Sequence, residues 1–452
     1  AGGLTVQLNG LNVNAGNVSI SNISADGDLT INGGVNVTAG GIDFSGRGDL
    51  ATTGVLKAAE AVGMTADGNI SNRDAITAGK DIDLQAGEDI TNNEAVSAGT
   101  DLLMAAKDGS IINKGAVSAD ADVSLTAAKS ITNSSTVQAG EGLLMNAVTG
   151  NIINQGSVTA GKAIDLQAGE DITNNEAVSA GTDLLMEAKD GSIINKDAVS
   201  ADADVSLTAA KSITNASDVS AAKLISMLAK AGDIINEGNL TAGGTGLAVD
   251  LTAGQGSIRN TAAAGTIVAA GAVQMQAAED IINQTAVNSG EGHDVVIDAG
   301  NDLVNSGAVD SGRQVLLTAG QDIGNTGKIT AQDAITMDAG NDISNNGSLT
   351  AVQDVALTAA AGNINTGSNG TVHSEQGSIS LATQNTAAAG AGAINVGAAL
   401  TAQKHINIRT ELGDVFMGAD ATAQDGVLTV HVTEGDIRSS HFDGGDNPAG
   451  TD

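Results

Sequence analysis

The sequence predicts an all-β chain folded as a parallel β-helix, a solenoid of about 21 rungs with a repeat period of 20 or 21. Three observations predict the solenoid. The block Ile82–Asn133 recurs at Ile164–Asn215, a shift of 82 positions, with two differences: Ala105 becomes Glu187 and Gly115 becomes Asp197. Inside that block runs a shorter period, since units begin at Ala78, Ala98, Ala119, Ala139 and Ala160, in steps of 20, 21, 20 and 21. Each unit also carries short apolar stretches of period two, the mark of strands with one buried face. A fixed period of this size signals stacked repeats, because one unit cannot bury its apolar face alone.

Each unit reads as three short strands. The first has alternating anchors, as in Ile82/Leu84, Leu102/Met104, Val123/Leu125 and Leu143/Met145. The second holds an isoleucine and then, two places on, an asparagine, as in Ile90/Asn92, Ile111/Asn113 and Ile131/Asn133. The third is centred on Val96, Val117 and Val137, and an Ala-Gly corner or a variant leads into the next unit. Strands this short are not stable alone, so rung must pair with rung. Ala222–Lys230 (AKLISMLAK) looks helical but aligns with Gly181–Lys189, and so reads as a strand and a corner.

The asparagine persists for fourteen units: Asn72, Asn92, Asn113, Asn133, Asn154, Asn174, Asn195, Asn215, Asn236, Asn260, Asn283, Asn305, Asn325 and Asn345. Stacked in register, such amides hydrogen-bond along a ladder, and Asn tolerates the backbone of a tight corner. Its spacing locates the irregularities. Steps of 20 or 21 widen to 24, 23 and 22 between Asn236 and Asn305. Insertions are expected near 243–246, 262–265 and 288–293, and the largest loop at 366–376, where Thr366 and then Val396 replace the asparagine. The domain plan is a degenerate rung or cap over 1–28, a shaft over 29–440 and a polar tail over 441–452. Strand spacing of about 4.8 Å makes about 21 rungs a rod on the order of 100 Å. Phe44 and Phe416 lie near its two ends, where they are expected to plug the last layers.

Composition fits a narrow aliphatic core. There are 60 glycines, three aromatics, one proline and no cysteine, against 41% apolar residues. No disulfide or thiolate metal site can form. With 19 basic and 53 acidic residues the net charge is −34, so no positive face is available for nucleic acid or anionic membrane. No apolar run of about 18 residues suggests a transmembrane helix. No N-terminal basic-plus-apolar signal is present, and the opening Ala1-Gly2-Gly3 reads as a mature or excised segment.

Candidate chemistry is sparse. Asp280, Asp302, Asp322 and Asp342 share one slot, just before the second anchor, in four successive rungs. In register they would repel by roughly 1 kcal/mol per neighbouring pair in water, which a calcium column would relieve; the alternative is a solvated outward row. Arg47-Gly48-Asp49 is an adhesive-type tripeptide, but Asp49 fills the repeat slot held elsewhere by Asp89 and Asp171. The five histidines (His293, His373, His405, His431, His441) share no metal-ligand spacing, and no Ser/His/Asp constellation stands out. Paired acids recur with the repeat, whereas a catalytic site is a local exception to one.

The units AGEDITNNEAVSAGTDLLMAA and DGSIINKGAVSADADVSLTAA resemble the repeats of filamentous haemagglutinin and related two-partner-secreted exoproteins, including large adhesins and contact-dependent inhibition toxin stalks; the resemblance covers about 25–440 of the chain. It implies the right-handed sense of the β-helix and a place on a Gram-negative surface, reached by export of the unfolded chain through an outer-membrane pore. The family's Asn-Pro-Asn secretion domain is not in this sequence, which reads as a central fragment or as a protein that shares the repeats without the export route. The leading expectation is a non-enzymatic cell-surface shaft that presents an adhesive end to a receptor on a host or neighbouring cell. The runner-up is a self-assembling filament, since exposed strand edges at both ends of a β-helix can stack head to tail. A carbohydrate-active β-helix enzyme comes third.

Overall fold

The computed structural model describes residues 3–8, 10–24, 27–261, 265–386 and 392–440. Among them there is no helix; every regular element is a short β-strand. Two compact units divide at Lys230/Ala231, and each is a coil of parallel three-strand rungs.

In the first unit the repeat block shows the rule. A rung runs through Ile82–Ala86, Ile90–Asn92 and Val96–Ala98, and the next through Leu102–Ala106, Ile111–Asn113 and Val117–Ala119. The first strands pair Ile82↔Leu102, Leu84↔Met104 and Ala86↔Ala106, the second pair Ile90↔Ile111 and Asn92↔Asn113, and the third pair Val96↔Val117. Like therefore stacks on like. Residues one, three and five of the first strand are buried, as are one and three of the other two. The core is one column each of Ile/Leu/Val, Leu/Met, Ala, Ile, Asn, Val and Ala. Alanine ends the first and third strands beside the corners. Each fully buried Leu, Ile or Val contributes roughly 1.5–3 kcal/mol, so the regular stack is held by the sum of many similar columns. Outward positions alternate with these and are free to vary.

Corner glycines have a steric reason. Gly87 lies so close to the backbone carbonyl of Asp67 in the rung before it that a Cβ would overlap that oxygen, and Gly99 stands in the same relation to Gly79. Neither needs a left-handed backbone; the need is for close approach between stacked turns.

The stretch 1–28 contains a complete rung, Leu4–Gln7, Leu11–Val13 and Val18–Asn22, registered on the next rung from Leu4↔Leu29. Its degeneracy in sequence reflects exposure, since only Val18 and Asn22 of those strands are buried. Ile225–Ala229 is a strand, as the alignment with Gly181–Lys189 implies.

The second unit follows the same rule with breaks. Leu247–Ala253 is a lengthened first strand with a bulge between Leu247 and Val249. Val287–Glu291 is a lengthened third strand whose register shifts after Asn288, and Gly292 turns the chain with φ +78. Of the insertion expected at 262–265, residues 262–264 lie outside the described residues. The large loop expected at 366–376 is misplaced: Thr371–Ser374 is a strand in register with Leu349–Ala351. The longest gap instead runs from Thr383 to Ile394, where the rung before needs only Ala359 to Ile364; residues 387–391 of it, and the tail 441–452, lie outside the described residues. Phe44 is fully buried between Ile20 and Met64 of the flanking rungs, but Phe416 is 42% exposed. Phe416 follows the inward Val415, so the alternation of the strand points it out and it plugs nothing.

Candidate functional site

The asparagines form one buried column in each unit. All fourteen are fully buried. In the first unit Asn72 Nδ2 donates to Asn92 Oδ1, Asn92 to Asn113 and Asn113 to Asn133, each at 2.8 Å. In the second, Asn283 Nδ2 donates to Asn305 Oδ1, Asn305 to Asn325 and Asn325 to Asn345, each at 2.7 Å. The other amide hydrogen turns to the chain's own corner: Asn305 and Asn325 donate at 3.0 Å to the carbonyls of Gly307 and Gly327. One side chain thus ties a rung to its neighbour and closes its own turn. Thr52 opens the column by donating to Asn72 Oδ1 at 2.7 Å. Two amide atoms within it, Asn154 Oδ1 and Asn195 Nδ2, have no partner among the described residues.

A second set of columns runs along the corners, and the sequence pattern alone does not announce it. In most rungs the slot before the second strand holds Asp, Asn or Ser, and its side chain accepts the backbone N–H of the same slot one rung on; Ala393 is an exception. Asp28 receives Asp49 N at 3.0 Å, Asp49 receives Asn69 N at 2.8 Å, Asn69 receives Asp89 N at 3.0 Å and Asp89 receives Ser110 N at 2.7 Å. The slot before the first strand does the same, as where Asp101 receives Asp122 N at 3.1 Å and Asp122 receives Gly142 N at 2.7 Å. These corner N–H groups have no strand partner, and the short polar side chain supplies one, as at a helix N-cap.

The same geometry recurs in the aspartate column. Asp280, Asp302, Asp322 and Asp342 do stack, half-buried, in one slot. Their Oδ1 atoms receive Asp302 N, Asp322 N, Asp342 N and Asn363 N at 3.2, 3.1, 2.9 and 2.6 Å. A hydrogen bond to a charged acceptor is worth about 1.5–3 kcal/mol, more than the roughly 1 kcal/mol of neighbour repulsion. These hydrogen bonds offset the repulsion along the column. Among the described residues no three His, Cys, Asp or Glu side chains converge on a point. The expected outcome of Asp302→Ala is a loss of about 1–2 kcal/mol. Asp302→Ser costs less, because Ser110 and Ser192 fill that slot. Urea denaturation with and without EDTA checks both, and a loss of wild-type stability on chelation would show that calcium bridges the column.

Arg47-Gly48-Asp49 occupies a tight corner between Ile42–Gly46 and Leu50–Thr53. Arg47 and Asp49 are both exposed; Asp49 Oδ1 is held by Asn69 N and Nδ2 at 2.8 and 3.0 Å, and Gly48 N donates to Gly27 O at 3.0 Å. The tripeptide is a piece of the stacking pattern with its carboxylate in use.

The most irregular surface lies in the second unit. Ser289 and Ser311 stand where alanine normally ends the third strand. Both hydroxyls donate to His293 O, at 2.8 and 3.0 Å, which pins the bulged corner. Beside them is an open polar depression of about 530 Å³, lined by Ser289, Glu291, Gly292, Asp310, Gly312 and Gln332. Arg313 grips Asp294 with two guanidinium nitrogens, one of them 2.6 Å away, and this hydrogen bonding holds the Asp294 carboxyl below its usual range. Asp250 shifts the other way, raised by burial on the outer face of Leu247–Ala253. The lining holds two carboxylates, Glu291 and Asp310, and the Ser289 and Ser311 hydroxyls, which are engaged with His293 O.

These features define a class, the parallel β-solenoid stacked by side-chain ladders. Within it, the chain belongs to the haemagglutinin repeat family, whose model matches residues 1–48, 30–108, 96–156, 142–190, 248–307 and 310–375, together more than half of the chain. Comparison with curated proteins and with solved structures found no match.

Proposed function

We propose that the chain is a non-enzymatic shaft of a secreted, cell-surface adhesin, whose work is reach and display. The observation that carries this reading is the duplication. Ile82–Asn133 and Ile164–Asn215 form the same strands in the same register, so the coil lengthens by whole rungs without a new kind of contact. A shaft tolerates such growth, whereas a catalytic groove would have to be preserved through it. Membership of a family of adhesin repeats supports the same reading. Among the described residues the first unit stacks eleven rungs and the second nine rungs and one further strand, so at about 4.8 Å per rung each spans roughly 50 Å along its own axis. The partner is a receptor on a host or neighbouring cell, reached by whatever the shaft presents. The test has two arms. Antibodies against residues 29–440 should label intact cells, and the purified chain should release no reducing sugar from a polysaccharide panel. Labelling only after permeabilisation, or turnover of any polysaccharide, would sink the proposal.

A further inference from the structure

In the second unit, the corner before the first strand keeps the column of side-chain acceptors but changes its chemistry along the chain. Asp294 Oδ1 receives Gln314 N at 3.1 Å, and Asp354 Oδ1 receives Ser378 N at 2.8 Å. Ser378 Oγ then receives His405 N at 3.4 Å, and His405 Nδ1 receives Val427 N at 3.3 Å. At that last step the acceptor is an imidazole, whose free lone pair exists only in the neutral ring. Protonation places a hydrogen on Nδ1 facing the Val427 N–H, so acceptor becomes donor and the bond is lost. An imidazole changes charge between about pH 5 and 8, where the carboxylates, amides and hydroxyls of the other rungs do not.

The segment that carries this bond is tied to the coil by three parallel ladders but buries little apolar surface. It comprises Ala421–Ala423, Leu428–Glu434 and Ile437–Ser439. Its anchors Leu428 and Ile437 are 44% and 58% exposed, whereas Ile406 and Val415, on which they stack, are fully buried. With less apolar burial, a single backbone hydrogen bond is a larger share of local stability.

We propose that His405 is an acid-sensitive latch, which closes residues 421–439 onto the coil at neutral pH and releases them when its imidazole is protonated. The charged groups at the same corner are Glu375 in the rung before, Lys404 beside it in the chain and Asp425 in the rung after. Among the described residues, neither carboxylate is hydrogen-bonded to the imidazole; Asp425 instead accepts from Gln403 Nε2. On the packed strands, Arg409 pairs with Glu411, and His431 stands in register with Arg409 and contacts Thr433. His431 is a second histidine on this segment, so the test must separate the two.

Hydrogen exchange, corrected for intrinsic rates, would be compared at pH 7.5 and 5.5 for peptides from 421–439, with residues 329–359 as the internal reference. The wild-type chain should lose about tenfold protection in 421–439 at the lower pH, the equivalent of one hydrogen bond, while the reference is unchanged. His405→Asn keeps an acceptor that does not titrate, as Asn69 does for Asp89 N, and should abolish the pH effect with His431 still present. His405→Ala should show weak protection at both pH values. Equal pH losses in wild type and His405→Asn, no loss in wild type, or full protection of His405→Ala at pH 7.5 would each overturn the proposal.

Discussion

Asn305→Ala should destabilise the second unit by about 3 kcal/mol or more, because each buried polar group left unpaired costs roughly 1–3 kcal/mol and more than one is disturbed. Asn305 Oδ1 accepts from Asn283, and its Nδ2 donates to both Asn325 Oδ1 and Gly307 O. Truncation strips Asn325 Oδ1 of that donor and takes a partner from Gly307 O, and it weakens the hold on Asn283 Nδ2, which keeps Thr285 O at 3.0 Å. Water has no access to a column this deep. Asn305→Thr should be milder, because Thr52 opens the column in the first unit with its hydroxyl. Asn305→Asp should be the worst, since it buries a charge and loses the donor to Asn325. Urea denaturation of the three variants gives the order Thr, Ala, Asp. Equal losses for all three would mean that volume at this position matters and the amide does not.

A one-residue deletion should be tolerated in a corner and not in a strand. Shorter and longer units alternate because the corner after Ala86 is Gly87-Glu88-Asp89, whereas that after Ala106 is Lys107-Asp108-Gly109-Ser110. The strands on either side keep the same register. Deleting Asp108 therefore converts one natural corner into the other. Deleting Leu103 shifts the strand by one: Ala105 replaces Met104 in a fully buried slot, and Lys107 moves to the buried slot of Ala106. Met→Ala in a core costs about 2–5 kcal/mol, and the buried ammonium adds to it. The first unit should lose cooperative melting with the Leu103 deletion and keep it with the Asp108 deletion, as circular dichroism would show. Similar melting of both would mean that the alternation of the strand does not set the register.

Much of this is legible in the sequence because a solenoid repeats its evidence. Ile90/Asn92 alone would be an accident; an aliphatic anchor and an asparagine at that spacing over fourteen units fix a strand, its inward face and the contact with the next rung. The corner columns are harder to see. Asp81, Asp101 and Asp122 are regular, but an aspartate before a strand reads equally as a solvated turn, and the N–H it serves lies a full rung away along the chain. For the same reason Asp280, Asp302, Asp322 and Asp342 look like a charge problem: the sequence shows the carboxylates and not the amides that face them. Phe416 misleads because its place near a chain end suggests a plug, whereas its parity in the strand decides where it points. The misplaced loop has a similar cause. Counting from Thr366 to Val396 gives the excess for the whole rung, and only the strand Thr371–Ser374 shows that most of it follows Thr383.

The central claim is that the rung, not the domain, is the unit of construction. Removing residues 82–163 tests it most directly. The cut joins Asp81 to Ile164, the counterpart of Ile82, and takes out four whole rungs, Ile82 through Ala163. The account predicts a folded chain with an unchanged far-ultraviolet β-sheet spectrum and cooperative melting, and a first unit shorter along its axis by about 20 Å, four times the strand spacing. Small-angle scattering reads that length. An unfolded or aggregated product, or a folded one of undiminished length, would contradict it.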